Sequence, residues 1–348
     1  HPIYEGRAFV WKRNSGKTSL TEFGRGNVNV QRWENSPYYY LEQIGDSMLR
    51  RRLTAESEKE FPVFPELRAD GMTEYVAIIN RFAAEGIVGD MDCVYSSWTT
   101  DAPGGFRETD VAGIGRLMPL LALTLKAASL ARIAGTLVET YLGRDAGRRV
   151  LQGRISRGVA EQIEAAIWFS DLRGYTRLAD PAKPEEIIPL LNEYADAIIS
   201  AIHEHGGDVL KLMGDGVLAI FTAADRGRAC EAALSAAEDA PRRVAEVNGL
   251  RTASGLPTTE LYLGLHIGEV FYGNIGSKER LDFTIVGPAV NEVSRIASMC
   301  RSVDQPLLVS SAFAAALGAS KNRLVSVGRY ALRGVSRPQD LFTVAKET

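Results

Sequence analysis

Cysteine and histidine are scarce in this chain of 348 residues, which has three cysteines and four histidines. Cys93, Cys230 and Cys300 are odd in number and widely spaced, and no C-x-x-C pair occurs. Disulfide frameworks need paired cysteines, and structural zinc sites need clustered Cys and His ligands. The pattern therefore predicts free thiols in a reducing compartment and argues against a zinc centre.

A long uninterrupted apolar run is also missing. The most apolar stretch, LMPLLALTLKAASLARIAG, is interrupted by Pro119, Lys126 and Arg132. A membrane-spanning helix needs about 20 consecutive, mainly apolar residues. We therefore expect no membrane segment and, since no signal peptide is visible, a cytoplasmic location. The chain begins at His1 rather than methionine, which leaves a preceding segment open.

Neither sign of charge dominates. The 43 acidic and 40 basic residues give a net charge of −3 and are interspersed. Nucleic-acid-binding domains carry a basic patch or stripe, so we expect no nucleic-acid partner. The apolar fraction of 45% is sufficient for real cores, and the length exceeds that of one average domain. Two domains are therefore expected.

The first half of the chain has a mixed pattern. Residues 1–107 are predicted to form a mixed α/β domain, with strands in GRAFVWKR, TEYVAIINRF and DCVYSSWTTD and a short helix in GDSMLRRRL. From 108 to 142 the pattern becomes helical, and Ile114, Met118 and Leu121 belong to a 4-3-4 spacing. This spacing is typical of a two-helix seam, and packing within one chain explains it equally well.

A basic, glycine-punctuated stretch, GRDAGRRVLQGRISRG, follows and predicts a solvated linker. From 161 onward, predicted strands and helices alternate in the order β-α-β-β-α-β, which is the order of a ferredoxin-like α+β sandwich with additions. The predicted organisation is a sensor-type domain at 1–107, a long signalling helix with a linker at 108–160, and a second domain at 161–348.

Two acidic residues interrupt apolar strands of the second domain. Asp171 ends AAIWFSD, and Asp215 lies between two glycines in LKLMGDGVLAIF. Taken singly, a helix N-cap explains Asp171 and a tight turn explains Asp215. In the sandwich order the two can lie side by side, where carboxylates about 4 Å apart repel by roughly 4 kcal/mol at an effective dielectric of 20. A divalent cation would turn that repulsion into binding, and oxygen ligands favour Mg²⁺ or Mn²⁺ shared with a phosphate.

These motifs resemble those of the class III nucleotidyl cyclases, the adenylyl and guanylyl cyclase catalytic domain. The resemblance covers about residues 164–344, through FSDLRGYT, KLMGDGVLAIF, GLHIGEVFYGNIGS and DFTIVGPAVNEVSRIAS. It implies that Asp171 and Asp215, with the Leu172 carbonyl, hold two Mg²⁺ or Mn²⁺ ions per site. It also implies that Asn291 and Arg295, four apart on one helical face, position the ribose and stabilise the transition state.

The resemblance also implies how the nucleotide is bound. Lys211 matches the purine-reading lysine of the family, and Thr284 stands where many adenylyl cyclases carry Asp and guanylyl cyclases usually carry Cys. The pair suits ATP, because Lys can donate to adenine N1 and Thr can accept from N6. Threonine is a variant of one bacterial subgroup, some of whose members respond to bicarbonate, so a bicarbonate response is a hypothesis for this chain.

The start of the DLRGYT helix predicts a cradle of backbone N–H groups for phosphate oxygens. Its residues Gly174, Tyr175 and Thr176 are therefore predicted to bind substrate. Arg280 or Lys278, in the segment SKERLD, is predicted to contact the triphosphate.

The resemblance thus implies an adenylate cyclase that converts ATP to cyclic AMP and pyrophosphate. In the family, base-binding and metal-binding residues of one site come from different subunits, which implies a homodimer with composite sites. The first domain resembles a GAF-type sensor, which implies regulation by a small molecule. Two alternatives stay open: a guanylate or relaxed-specificity cyclase, and a catalytically inactive dimerisation or nucleotide-binding module.

Overall fold

The computed structural model describes residues 6–11, 18–23, 33–82, 93–156, 158–333, 335 and 338–345. The chain divides into two compact units, His1–Leu137 and Val138–Thr348. Both units combine helices with mainly antiparallel strands, so the predicted α+β class is confirmed.

The N-terminal unit is built on a three-stranded antiparallel sheet with a separate hairpin. The hairpin strands are β1 (Gly6–Trp11) and β2 (Thr18–Phe23), and the sheet strands are β3 (Met48–Arg52), β4 (Glu74–Arg81) and β5 (Cys93–Thr100), in the order β3-β4-β5. The helices are α1 (Pro37–Ile44), α2 (Val63–Ala69) and α3 (Glu108–Leu142). Strand β4 is buried on both faces, with Tyr75 packed beside α1 and α2 and Val76 beside α3.

The predicted strands β1, β4 and β5 are confirmed, although the last two residues of GRAFVWKR lie outside the described residues. The short helix predicted in GDSMLRRRL is wrong, because Met48–Arg52 forms strand β3. Its three arginines favour a helix locally, but Leu49 is buried and the segment pairs along its whole length with β4. Tertiary pairing therefore overrides the local preference.

Helix α3 packs against the sheet of its own unit. Met118 is buried beside Val76 and Ile78, with Ile114 at the edge of the same cluster. Packing within the chain therefore accounts for the first part of the seam spacing. By length and composition alone α3 could cross a membrane, since an 18-residue window has a mean hydropathy of 1.5 with 17% of it buried. The absence of a membrane segment stays a prediction.

The C-terminal unit contains a large mixed sheet. Its strands are β6 (Ala160–Leu172), β7 (Asp208–Met213), β8 (Gly216–Phe221), β9 (Leu261–Gly276), β10 (Leu281–Val286), β11 (Leu307–Ser310), β12 (Leu324–Tyr330) and β13 (Gln339–Val344). Its helices are α4 (Arg144–Leu151), α5 (Tyr175–Ala179), α6 (Pro184–Glu204), α7 (Arg226–Ala253), α8 (Pro288–Val303) and α9 (Ser311–Ala316). The order is β12-β13-β11-β9-β6-β8-β7, with β10 paired to β9. The central part, β9-β6-β8-β7, is the predicted ferredoxin-like sandwich.

Alternation along β6 assigns its two faces. Trp168 and Leu172 pack with residues of α6 and α7 on one face, whereas Ile167 packs with residues of β10 and α8 on the other. Because side chains alternate along a strand, Asp171 lies on the same face as Ile167. The strand thus directs its one terminal carboxylate to the side of the sheet that carries β10 and α8.

The predicted solvated linker is wrong for residues 144–151, which form helix α4. Ala146 is buried in the same cluster as Ile167, and Asp145 accepts a hydrogen bond from the Tyr272 hydroxyl at 3.0 Å. Arg149 pairs with Asp145 at 2.6 Å and with Glu161 at 2.9 Å. The charge of Arg149, which contributed to the prediction of a solvated linker, is thus paired with two acidic groups. One of them, Glu161, lies twelve residues further along the chain.

Candidate active site

Asp171 and Asp215 come together at one end of the sandwich. Asp171 is the penultimate residue of β6, and Asp215 lies in the turn between β7 and β8, where Gly214 has a φ of 66° that favours glycine. Strand β8 pairs with β6, so this turn lies beside the end of β6. The Leu172 backbone N–H donates a hydrogen bond to Asp215 Oδ2 at 3.1 Å.

The two carboxylates interact electrostatically. Burial, and then the charge of Asp215, raise the pKa of Asp171 from 3.8 to about 6. A partly buried acid beside a second acid is unfavourable unless a positive charge compensates both. Such a pair at the end of a strand is typical of a functional site.

The oxygen atoms at this point suit a hard divalent cation. The side chains of Asp171 and Asp215 and the carbonyl of Leu172 are the kinds of ligand that Mg²⁺ and Mn²⁺ prefer. Within the described part of the chain, no group of three or more His, Cys, Asp or Glu residues is placed to hold a metal. Mg²⁺ is usually bound through one or two carboxylates and takes its other ligands from phosphate and water, and two carboxylates fit that pattern.

Helix α8 carries the next two predicted residues. Asn291 is exposed and Arg295 is partly exposed, one turn apart. The helix lies directly on β9, because a Cβ on Gly264 would approach Ala297 N to 2.7 Å. Among the residues that the structure describes, neither the Asn291 amide nor the Arg295 guanidinium has a hydrogen-bond or ion-pair partner. Both are therefore available to a ligand.

The predicted base-reading residues lie on β7 and β10. Lys211 is half-exposed, and Thr284 is buried within β10. The structure adds Asp282, whose carboxylate accepts a hydrogen bond from the Lys211 ammonium. Asp282 is not among the predicted site residues, and its only signal in the sequence is its position two residues before Thr284. Its partner is 71 residues away in the chain, so no local pattern revealed the contact.

The predicted phosphate-binding residues are less well defined by the structure. Gly174, with a φ of 70°, precedes α5, a helix of five residues that has no side-chain cap. Arg280 is exposed in the loop between β9 and β10, where its backbone N–H donates to Ser277 Oγ at 3.1 Å. Among the described residues no hydrogen bond or ion pair links the Arg280 side chain to the aspartates. Its role stays a prediction.

A cavity of about 380 Å³ lies beside β9 and the start of α8. Its lining residues are Gln162, His266, Glu269, Val270, Phe271, Pro288, Ala289 and Glu292. None of the predicted site residues lines it.

Comparison with known proteins places these features in a family. Residues 159–345 match the family model of the adenylate and guanylate cyclase catalytic domain. An uncharacterized protein of Mycobacterium tuberculosis is 34% identical over 208 residues, which are 58% of this chain and 35% of that protein. An uncharacterized protein of Mycobacterium bovis matches with the same values. The chain thus spans about a third of the length of these relatives.

Two solved cyclase structures are similar to this chain. The adenylyl cyclase CyaB from P. aeruginosa is 25% identical with a TM-score of 0.50, and the match covers 55% of this chain and 97% of that one. The guanylyl cyclase Cya2 is 31% identical with a TM-score of 0.48, covering 53% and 93%. Since the matched span of residues 159–345 is more than half of the chain, the chain belongs to the class III nucleotidyl cyclases, the family of the adenylate and guanylate cyclase catalytic domain.

Proposed function

We propose that this chain is an adenylate cyclase, which converts ATP to 3′,5′-cyclic AMP and pyrophosphate. The observation that carries the proposal is the approach of Asp215 to Asp171, where burial and then the Asp215 charge raise the pKa of Asp171 to about 6. Two mutually repelling acids at the end of a buried strand are costly unless a cation compensates them. An enzyme that binds a nucleoside triphosphate with divalent cations supplies that compensation.

In the proposed reaction the ribose 3′-oxygen forms a bond to the α-phosphorus, and the bond from that phosphorus to the pyrophosphate oxygen breaks. The 3′-hydroxyl proton leaves to solvent. Asp171, Asp215 and the Leu172 carbonyl would hold two divalent ions, whose charge lowers the pKa of the hydroxyl and stabilises the phosphate oxygens. Arg295 donates to the α-phosphate oxygens as negative charge develops there, and Asn291 orients the ribose.

The preference for ATP rests on Lys211 and Thr284. An ammonium group only donates hydrogen bonds, so it complements N1 of adenine, which is an acceptor. The Thr284 hydroxyl can accept from the adenine amino group. Both residues lie in the C-terminal unit, on strands that contact each other through the Lys211–Asp282 pair.

Composite sites in a homodimer complete the proposal. Lys211 lies on β7, and Asp215 follows it by four residues in the turn after that strand. The base and the metal-bound phosphates are opposite ends of a nucleotide, so one chain cannot readily bind both ends of the same nucleotide with these two residues. The free side chains of Asn291 and Arg295 then complete the site of a second copy. The N-terminal unit would regulate this dimer in response to a small molecule, and bicarbonate could act on the catalytic unit. The protein would act in the cytoplasm.

The test is turnover by the purified protein with Mg²⁺ or Mn²⁺ and either ATP or GTP. We expect cyclic AMP with ATP, a lower kcat/KM with GTP, and no product in EDTA. Asp215→Ala should abolish turnover, whereas Asp196→Ala, which changes an exposed aspartate on α6, should leave it unchanged. A clear preference for GTP would refute the ATP assignment, and normal turnover by Asp215→Ala would refute the metal-binding role.

A further inference from the structure

The cavity lined by His266, Glu269 and Glu292, which we call the β9–α8 cavity, lies at a gap in the edge of the sheet. One edge of β9 pairs with β6. Along the other edge, the described strands β11 and β10 pair with residues 263–265 and 271–276, so residues 266–270 face neither strand. The volume of about 380 Å³ lies within the range of sites for small molecules.

Glu292 in the wall of this cavity has no positive charge to compensate it. Its carboxylate is 17% exposed, and among the described residues its one ion-pair candidate is His266, whose Nδ1 lies 3.7 Å away. Burial lowers the pKa of His266, against the opposing effect of the Glu292 charge. The imidazole is therefore neutral near pH 7.5, and a largely buried carboxylate without a counter-ion is costly.

His266 adds a hydrogen-bond acceptor to the same wall. Its side chain is 8% exposed, and its Nδ1 lies 2.8 Å from Ser310 Oγ. We assign the ring proton to Nδ1, because the negative charge of Glu292 lies on that side of the ring. The acceptor Nε2 has no hydrogen-bond partner among the described residues. It lies beside Gly268, where a Cβ would approach it to 3.2 Å, so the glycine leaves this nitrogen open.

The other walls combine negative charge with apolar surface. Glu269 is exposed, and its Oε2 accepts a hydrogen bond from Gln162 Nε2 at 2.9 Å. Phe271, which is 49% exposed, adds an aromatic ring. No lysine or arginine is among the described lining residues, and no group of His, Cys, Asp and Glu in the described part of the chain is placed to hold a metal. Carboxylates, an imidazole acceptor and an aromatic ring complement an organic cation that carries N–H donors.

We propose that the β9–α8 cavity binds a small organic dication, of the aliphatic diamine class, through the carboxylates of Glu269 and Glu292. The ammonium groups donate to these carboxylates and to His266 Nε2, while the carbon chain packs on the apolar walls. Binding at Glu292 acts on α8 one residue from Asn291, so occupancy of the cavity should change turnover. That effect on turnover rests on the proposed cyclase function, whereas the binding itself does not.

The experiment measures the binding of putrescine, a four-carbon diamine, to the full chain by titration calorimetry near pH 7.5 without nucleotide. Butanediol has the same chain length without charge, and Mg²⁺ has charge without a carbon chain. We expect saturable binding of putrescine that is at least about tenfold tighter than the binding of butanediol. Mg²⁺ at the same concentration should not displace it. Equal binding of butanediol, or displacement by Mg²⁺, overturns the proposal.

Substitutions in the walls locate the binding site. Glu292→Gln and Glu269→Gln each remove one charged acceptor and should weaken putrescine binding by about tenfold. Phe271→Ala should weaken it by about threefold, because it removes a cation–π contact. Glu185→Gln is the matched control, since it removes an exposed carboxylate on α6 that has no partner among the described residues. Glu269 and Phe271 are exposed, so their variants test the site even if Glu292→Gln does not fold.

Turnover provides the second measurement. Putrescine should change kcat/KM for ATP in the wild type by about fivefold, and Glu269→Gln should reduce this response relative to its own basal rate. Unchanged putrescine affinity in Glu269→Gln and Glu292→Gln, or an equal loss in Glu185→Gln, overturns the site. The expected binding without any change in kcat/KM supports the site and overturns its coupling to α8. If the wild type turns over no nucleotide, the proposed cyclase function fails, and the binding measurements alone decide the cavity.

Discussion

At the scale of single residues, Asp171 combines a role in the proposed chemistry with a penalty on folding. Its pKa is raised from 3.8 to about 6, first by burial and then by the charge of Asp215. A carboxyl whose pKa is higher in the folded state favours folding when it is protonated. Its charge therefore opposes folding increasingly between pH 4 and pH 6, and fully above pH 6.

Asp171→Asn should therefore abolish turnover and yet stabilise the metal-free protein at pH 8. The shift corresponds to about 3 kcal/mol as an upper value, which partial exposure reduces. The gain should shrink to below about 1 kcal/mol at pH 4, where Asp171 is protonated in the folded state and about half protonated in the unfolded state. Thermal unfolding in EDTA at the two pH values measures it, with Asp196→Asn as the control on an exposed aspartate. Destabilisation by Asp171→Asn at pH 8 would contradict the raised pKa.

At the scale of elements, the contact between α8 and β9 positions Asn291 and Arg295. Gly264 allows this contact, because a Cβ there would lie 2.7 Å from Ala297 N and 2.8 Å from Val293 O. Both neighbours are backbone atoms of the helix, so they cannot move without moving α8. A side chain at position 264 must therefore displace the helix or the strand.

Gly264→Ala should lower both the stability of the C-terminal unit and kcat, with a loss of stability of about 1–3 kcal/mol from overpacking. Gly249→Ala on α7 is the matched control, since nothing lies within 4 Å of its Cβ, and helix propensity predicts a small gain in stability. Denaturant unfolding and steady-state kinetics measure the two effects. An unchanged kcat in Gly264→Ala would show that the position of α8 does not limit turnover.

A second element-scale contact anchors the start of α3 in the N-terminal unit. Glu74 is buried, accepts from Arg50 Nε at 2.9 Å, and accepts from the Phe106 N–H at 2.5 Å. Arg50 in turn donates to the Phe106 carbonyl at 2.7 Å and to Glu108 at 2.6 Å. This network joins β3 and β4 to the first turn of the helix.

Glu74→Gln should destabilise the N-terminal unit by about 3 kcal/mol, because it leaves Arg50 without its buried partner. Glu60→Gln is the control, since Glu60 is 40% exposed and pairs with the exposed Arg51, and it should change stability by less than about 1 kcal/mol. Thermal unfolding of both variants measures the difference. Equal effects would contradict the anchoring role.

At the scale of the whole molecule, the proposed composite site predicts complementation between inactive chains. Asp171→Ala chains lack the metal-binding carboxylate, and Arg295→Ala chains lack the transition-state cation. In a random mixture half of the dimers are mixed and each has one intact site, so about a quarter of wild-type activity should return. No recovery, despite heterodimers shown by differential tagging, would refute shared sites.

Much of the catalytic unit follows from the sequence alone. Strand β6, the hairpin around Asp215 and helix α8 each have a clear period of two or of 3.6, and their order specifies the ferredoxin-like sheet. Helix α4 and strand β3 could not be predicted in the same way. Their polar side chains have partners such as Glu161 and Glu74, which come from distant strands and are not visible in a local pattern.

The sequence by itself determined the family, the β-α-β-β-α-β order of the central sandwich and the residue types of the candidate site, because short motifs and alternating apolar positions record local structure directly. Only the tertiary structure decided that Asp215 reaches the backbone of Leu172, that Asp215 raises the pKa of Asp171, and that Asp282 holds Lys211. These facts depend on distances between residues 43 to 71 positions apart. Such distances arise from strand pairing and packing, which no single stretch of sequence encodes.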